Sequence, residues 1–261
     1  MRTIDGVVAR SDETVAESLS REGLTQRAAE ILTFIEQLRQ EWGLQEALRA
    51  AEEYYVDNEA HGSLQRLGRV LVRARRQALI QQQLDEDREQ LHRGRLPHNE
   101  LVSTGHHYEM LRREACEYNH ELRTLIEVDG HHFSRYELTD WLVRASQGRH
   151  SWVQGEITGA VSEIALHAAL AGLPELRDVR YGTLDEDLSG YDFVMQWRGQ
   201  PVTVDAKTGM YRPLTERKHG HKHLEVSVPR EAVADFWVTN RGLKLLRHEV
   251  RQVLTGGNDG V

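Results

Sequence analysis

Cysteine and long apolar runs are scarce in this sequence, and each scarcity excludes a class of structure. Cys116 is the only cysteine among 261 residues, so neither an internal disulfide nor a zinc site made of several cysteines can form. No apolar run approaches the roughly 20 residues that a membrane helix needs. The first residues turn acidic at once and lack the apolar core of a secretion signal. We therefore expect a cytoplasmic protein that makes no membrane contact.

An excess of positive charge is also missing. The net charge is −8 and the pI is near 6.0, whereas proteins that coat nucleic acid non-specifically are usually basic. The charge balance therefore argues against a pure nucleic-acid binder. It argues less against an enzyme that holds a metal at clustered acids, because the ion supplies local positive charge.

The residue pattern changes near residue 148 and predicts two domains. Residues 1–148 are expected to form an all-helical domain, because apolar residues recur at helical spacing through most of it. Its first 60 residues contain thirteen acids and six arginines, which favours dimerisation or docking to a protein partner over lying along DNA. Residues 149–261 read as a helix at 152–171, several strands and a final helix at 242–254. The predicted fold class of this domain is α/β.

One predicted helix of the first domain carries four arginines on one face. They recur at intervals of three and four residues, which are neighbouring positions on a helix surface. Such a face can grip phosphates or an acidic partner, or it can simply be solvated. The four residues are Arg66, Arg69, Arg73 and Arg76.

The segment "GYDFVMQWRGQPVTVDAKTG" at 190–209 predicts a β-hairpin and specifies which residues of its two strands pair. If Arg198 and Gly199 are the two central turn residues, Phe193 faces Val204 and Asp192 faces Asp205. Side-chain alternation then sorts the hairpin into an apolar face and a polar face, and the two aspartates share the polar one.

Two opposed carboxylates need an explanation, because directly paired residues lie about 5 Å apart and like charges repel. Either the pKa of one acid is raised, or a divalent cation such as Mg²⁺ or Mn²⁺ is bound between the oxygens. Lys207 lies on the same face, where its amine can orient or help to deprotonate a metal-bound water. The alternative is that these are ordinary solvated acids, since a lone Asp-x-Lys is common by chance.

The preceding helix adds a further acid. Glu156 and Glu163 lie two turns apart on one face, and His167 follows Glu163 by one turn. Glu156 fits the normal acidic face of an amphipathic helix. Glu163 sits in the otherwise apolar "AVSEIALHAAL", which favours a functional role.

These elements together resemble the PD-(D/E)xK nuclease superfamily over roughly residues 150–255. The matching features are the helical Glu163, the Asp192 that enters one strand, and the acid-x-Lys "DAK" on the next, with twelve residues between the two aspartates. Asp205 stands where Glu is commoner. The resemblance implies a restriction-endonuclease-like mixed β-sheet flanked by helices. It also implies a Mg²⁺- or Mn²⁺-dependent endonuclease acting on DNA in restriction, phage defence or recombination.

The resemblance also implies residue roles. Asp192 and Asp205 would ligate the metal with the Ala206 carbonyl, Glu163 would complete the metal shell directly or through water, and Lys207 would position or activate the attacking water. "ADFWVTN" at 234–240 looks like the next core strand of the family.

The run that follows the acid-x-Lys strand is basic or titratable. It is expected either to contact phosphates or to be a solvated loop. Zinc binding by its three alternating histidines is a further hypothesis, although nothing supplies a fourth ligand. The residues are Lys218, His219, His221, Lys222 and His223.

Two other functions remain open at this point. One is a catalytically silent module that binds nucleic acid or scaffolds a complex, although the intact Asp192, Asp205 and Lys207 argue against it. The other is a nuclease that cleaves RNA.

Overall fold

The computed structural model of the protein describes residues 2–4, 7–9, 21–41, 49, 62–93, 100–208, 214–218 and 221–256. The chain divides into two compact units, one of residues 13–154 and one that joins residues 1–12 to 155–261. This division falls at 154/155, inside the helix His150–Ala171, a few residues after the predicted boundary at 148/149. None of the helices in the described ranges is long and apolar enough to span a membrane.

The unit of residues 13–154 is helical where it is described. Its helices are α1 (Arg21–Glu41), α2 (Gly62–His92), α3 (Glu100–Asp129) and α4 (Arg135–Ala145), followed by the start of α5 (His150–Ala171). Leu24, Ala28 and Ile31 of α1, which recur at intervals of four and three residues, are fully buried, while the side chains of Ile35 and Leu38 lie outside the described part. Ser134 begins α4 with a capping box, in which its hydroxyl accepts from the Glu137 backbone N–H.

The arginine face of α2 packs against carboxylates of α3. Arg66 forms a two-pronged contact with the fully buried Asp129, with Nε–Oδ2 at 2.7 Å and Nη2–Oδ1 at 3.1 Å. Arg73 lies between two glutamates, at 3.1 Å from Glu114 and 2.5 Å from Glu117. Arg69 reaches Glu121 at 3.7 Å, and Arg76 reaches Glu114 at 3.8 Å. All four side chains therefore have intramolecular carboxylate partners, and their contact with phosphates stays a prediction.

The other unit is built on a mixed sheet of five strands in the order β3-β4-β5-β7-β6. Its strands are β3 (Leu176–Tyr181), β4 (Phe193–Trp197), β5 (Gln200–Thr208), β6 (Leu214–Lys218) and β7 (His221–Val228). The pair β5–β7 is parallel, and the other neighbouring pairs are antiparallel. A short helix α6 (Leu184–Leu188) joins β3 to β4, and α7 (Asn240–Gly256) is the last element.

The core of this unit lies on one face of the sheet. The central strands contribute Phe193, Val204 and Leu224, all with no exposed surface. Helix α5 packs there through residues that continue the interval of four from Val153, Ile157 and Val161, and α7 packs there through an apolar stripe. The helix residues in this cluster are Ala165, Leu166, Ala169, Leu170, Leu246, Val250, Val253 and Leu254.

The hairpin β4–β5 has the predicted register. Phe193 pairs with Val204, and Trp197 pairs with Gln200. Arg198 and Gly199 have φ angles of +52° and +76°, as a turn with two left-handed residues requires. Glycine tolerates this conformation without strain, which explains its place at the second turn position.

Unlike the hairpin register, two further predictions about strands are wrong. The segment "ADFWVTN", expected to be the next core strand, joins no strand of the five-stranded sheet. Its residues take part in a separate small hairpin of β8 (Val233–Ala234) and β9 (Trp237–Val238), and the strand beside β5 is β7. The eight-residue β7 alternates polar and apolar side chains and covers more of the core than this short segment can. Residues 1–148 are also not all helical, because β1 (Arg2–Ile4) pairs with β2 (Val7–Ala9). The intervening Asp5-Gly6 is a hairpin signal that the helical interpretation overlooked.

Candidate metal centre

Backbone hydrogen bonds fix Asp192 at the start of β4. Its N–H donates to the Val204 carbonyl at 3.0 Å, and its own carbonyl accepts from Gly182 N–H at 2.8 Å. Gly182 is needed here, because a Cβ at this position would lie 2.3 Å from the Tyr191 carbonyl oxygen. The Asp192 carboxyl accepts from Ala206 N–H at 2.6 Å, so its side chain is turned onto β5.

Asp205 on β5 is the centre of the cluster. It shares a hydrogen bond with Asp192, and the Lys207 ammonium donates to its Oδ2. The side chain of Asp205 is 17% exposed and that of Lys207 is 34% exposed, so both are reachable from solvent. The predicted neighbourhood of Asp192, Asp205 and Lys207 on one face of the hairpin is confirmed.

Glu163 approaches the same aspartates from α5. It lies close enough for its charge to act on Asp192, and the next residue on that helix face, His167, stacks on Tyr181 with ring centroids 4.3 Å apart. The aromatic contact holds this part of α5 against the strands β3 and β4. The helical acid singled out in the sequence therefore joins the two aspartates.

The crowding of acids changes the protonation of Asp192. The pKa of Asp192 is raised to about 9. Burial is the largest cause, followed by the charges of Glu163 and Asp205 and the hydrogen bond with Asp205, while the hydrogen bond from Ala206 N–H lowers this pKa. For Lys207, burial alone would lower the pKa, but Asp205, Glu225 and Asp192 together raise it. The site is thus a cluster of carboxyl groups in which Asp192 keeps its proton, beside one charged ammonium.

The parallel neighbour β7 brings two residues to the site that the sequence interpretation missed or misassigned. Asp205 pairs with Glu225, and Thr203 pairs with His223, so all four side chains share one face of the sheet. His223 is 1% exposed, and its Nδ1 lies 3.0 Å from the Thr203 hydroxyl. The signal was available in "HLEVSV", where His223, Glu225 and Ser227 alternate with Leu224, Val226 and Val228.

The basic run predicted to contact phosphates does not form a single loop: Lys218 ends β6, and His221, Lys222 and His223 lie in β7. His223 is buried, so the prediction that it contacts phosphate is wrong. Lys222 donates to the Leu254 carbonyl at 2.6 Å and lies 4.6 Å from the centre of the Trp197 ring, which makes it a partner of the α7 C-terminus. His219 and the side chains of Lys218 and His221 lie outside the described residues.

No family model, no curated protein and no solved structure matches this chain. Its function is therefore inferred from the geometry and chemistry of the site itself.

Proposed function

We propose that this protein is a divalent-metal-dependent endonuclease that hydrolyses phosphodiester bonds in DNA, with a restriction-endonuclease-like fold in residues 155–261. The observation that supports it is the convergence of Glu163, Asp192 and Asp205 beside Lys207 at one end of the hairpin. Three acids and one lysine, supplied by one helix and two adjacent strands, match the set that the sequence resemblance implies.

The donor set suits a hard divalent cation. Carboxylate oxygens are the ligands that Mg²⁺ and Mn²⁺ prefer. The negative charges of Glu163 and Asp205 help to raise the pKa of Asp192, and a bound cation would offset that charge. Asp192 and Asp205 would hold the ion with the Ala206 carbonyl, and Glu163 would complete its shell. A bound ion would lower the pKa of a coordinated water and offset charge that develops on the scissile phosphate.

Lys207 would act as a charged donor. Because neighbouring acids raise its pKa, the ammonium stays protonated at neutral pH and is a poor general base. Its hydrogen bond to Asp205 orients it across the polar face. In this proposal it positions the attacking water or a phosphate oxygen and does not remove a proton.

The test is incubation of the full chain with supercoiled plasmid in Mg²⁺ or Mn²⁺ and in excess chelator. Wild type should nick the plasmid only with the cation, and Asp205→Asn should not nick it. Glu231→Gln is the matched control, because that acid is exposed and lies outside the cluster. Plasmid binding without nicking would favour the silent module, and cation-dependent cleavage of RNA alone would favour the RNA nuclease.

A further inference from the structure

The register between β5 and β7 creates a second group of ligands next to the carboxylate cluster. Asp205 and Glu225 are direct partners in the parallel pair, and His223 is the previous residue of β7 on the same face. The alternating residues Val204, Leu224 and Val226 point into the core. The polar side chains therefore cannot turn to the other face without emptying that core.

The three side chains are close enough to share one ion. Asp205, Glu225 and His223 each offer a ligand atom, and these atoms lie within 4.8 Å of one another. Ligands about 2.0–2.2 Å from an ion lie up to about 4.4 Å apart, so small side-chain rotations bring all three into contact with it.

The imidazole of His223 is held in the manner of a metal ligand. Its ring is buried, and the Thr203 hydroxyl lies 3.0 Å from Nδ1, where it orients the ring. Ligating histidines are commonly fixed by such an outer hydrogen bond. Tyr191 packs beside the ring with centroids 5.6 Å apart and limits its movement further.

We propose that Asp205, Glu225 and His223 form a mixed carboxylate–imidazole cation position that binds Mn²⁺ in preference to Mg²⁺. This proposal rests on the proposed function, because it takes the same face of the sheet as the metal-binding face. The new cation position shares Asp205 with the carboxylate cluster. Mg²⁺ favours an all-oxygen shell, whereas an imidazole suits transition-metal dications. This set contains one histidine of the basic run together with two acids, in place of the three histidines first considered.

Mn²⁺ bound to the full chain can be examined by electron spin-echo envelope modulation, which detects a coordinated ¹⁴N nucleus. Wild type should show this coupling, His223→Gln should lose it, and Glu231→Gln should keep it. Calorimetry should give a Kd for Mn²⁺ at least about 10-fold lower than for Mg²⁺ in wild type. Glu225→Gln should weaken Mn²⁺ binding by about 10-fold or more.

Several results would overturn the proposal: Mn²⁺ bound without nitrogen coupling, coupling that survives in a folded His223→Gln variant, or unchanged affinity in Glu225→Gln. If His223→Gln does not fold, the wild-type spectrum and the Glu225→Gln affinity still decide. Nitrogen-coupled Mn²⁺ in a protein that cuts no nucleic acid would reject only the proposed nuclease. Mg²⁺-dependent cleavage without nitrogen coupling would reject only the mixed site.

Discussion

A carboxyl group that keeps its proton near neutral pH needs an unusual environment, and Asp192 has one. It is crowded by Glu163 and Asp205, and its only lowering contribution comes from a single backbone N–H. This one residue links the stability of the fold to the charge state of the site.

The pKa of Asp192 predicts how stability depends on pH. Its value rises from 3.8 to about 9, so the folded state binds more protons than the unfolded state between these values. The free energy of unfolding in chelator therefore falls as pH rises through that window, by at most about 1.4 kcal/mol per pH unit. Asp192→Asn removes this titration and still offers an acceptor to Ala206 N–H and a donor to Asp205. Its stability relative to wild type should increase from pH 5 to pH 8.

Chemical denaturation at several pH values measures this difference. Glu231→Gln is the control, because this acid is exposed and lies outside the carboxylate cluster. Parallel profiles for Asp192→Asn and wild type would show that Asp192 is ionised in the folded protein.

A second prediction at the residue scale concerns the substitution of Gly182. A methyl group there would meet the Tyr191 carbonyl oxygen at 2.3 Å, so Gly182→Ala must displace the segment that carries Asp192. We expect a loss of about 1–3 kcal/mol in the free energy of unfolding and weaker Mn²⁺ binding. Gly159→Ala in α5 is the matched control, because its Cβ meets nothing within 4 Å and the change should stabilise the helix by roughly 0.5–1 kcal/mol. Equal effects of the two substitutions would contradict this role of Gly182.

At the scale of elements, the pairing of α2 with α3 depends on charge as well as on apolar packing. Asp129 has no exposed surface, and Arg66 and the Ser63 hydroxyl supply its hydrogen bonds. Arg93, the residue after α2, pairs with Glu89 of that helix, and more than half of each side chain is exposed. The two ion pairs should therefore contribute very differently to stability.

Arg66→Ala should lower the free energy of unfolding by about 3 kcal/mol, because it leaves a buried carboxylate without its counter-charge. Arg93→Ala should change it by less than about 1 kcal/mol, because both partners of that pair stay hydrated. Thermal unfolding of the two variants measures the contrast. A loss below 1 kcal/mol in Arg66→Ala would mean that water or another group replaces Arg66.

Local patterns allowed the hairpin to be predicted, and long-range pairing explains what was missed. The register of β4–β5 follows from side-chain alternation and from the turn at Arg198-Gly199. These signals are local, because only the two turn residues separate the paired strands. The partners of Arg66 and Arg73 lie on another helix, α3, and the spacing of the arginines alone cannot identify them. The parallel pairing of β5 with β7 also joins distant segments, so the local sequence indicates neither the place of Glu225 beside Asp205 nor the burial of His223.

At the scale of the whole molecule, the two units differ in which charged groups they contain and how these are paired. In the helical unit, acids outnumber arginines over residues 13–60 and the arginines of α2 are paired within the unit, so its charge offers little to a DNA backbone. Its role as an oligomerisation or partner-docking domain stays a prediction. The acids and the lysine proposed for catalysis all lie in the unit that contains residues 155–261.

Plasmid nicking by Lys207→Ala, with Mn²⁺ affinity measured on the same preparation, tests the central claim most directly. Lysine is no metal ligand, and removing its charge beside Asp205 should leave Mn²⁺ affinity equal or higher, while the nicking rate falls at least about 100-fold. Lys244→Ala, an exposed lysine on α7, should nick like wild type. Nicking by Lys207→Ala at the wild-type rate, or by wild type in excess chelator, would contradict a metal-dependent site built on Asp192, Asp205 and Lys207.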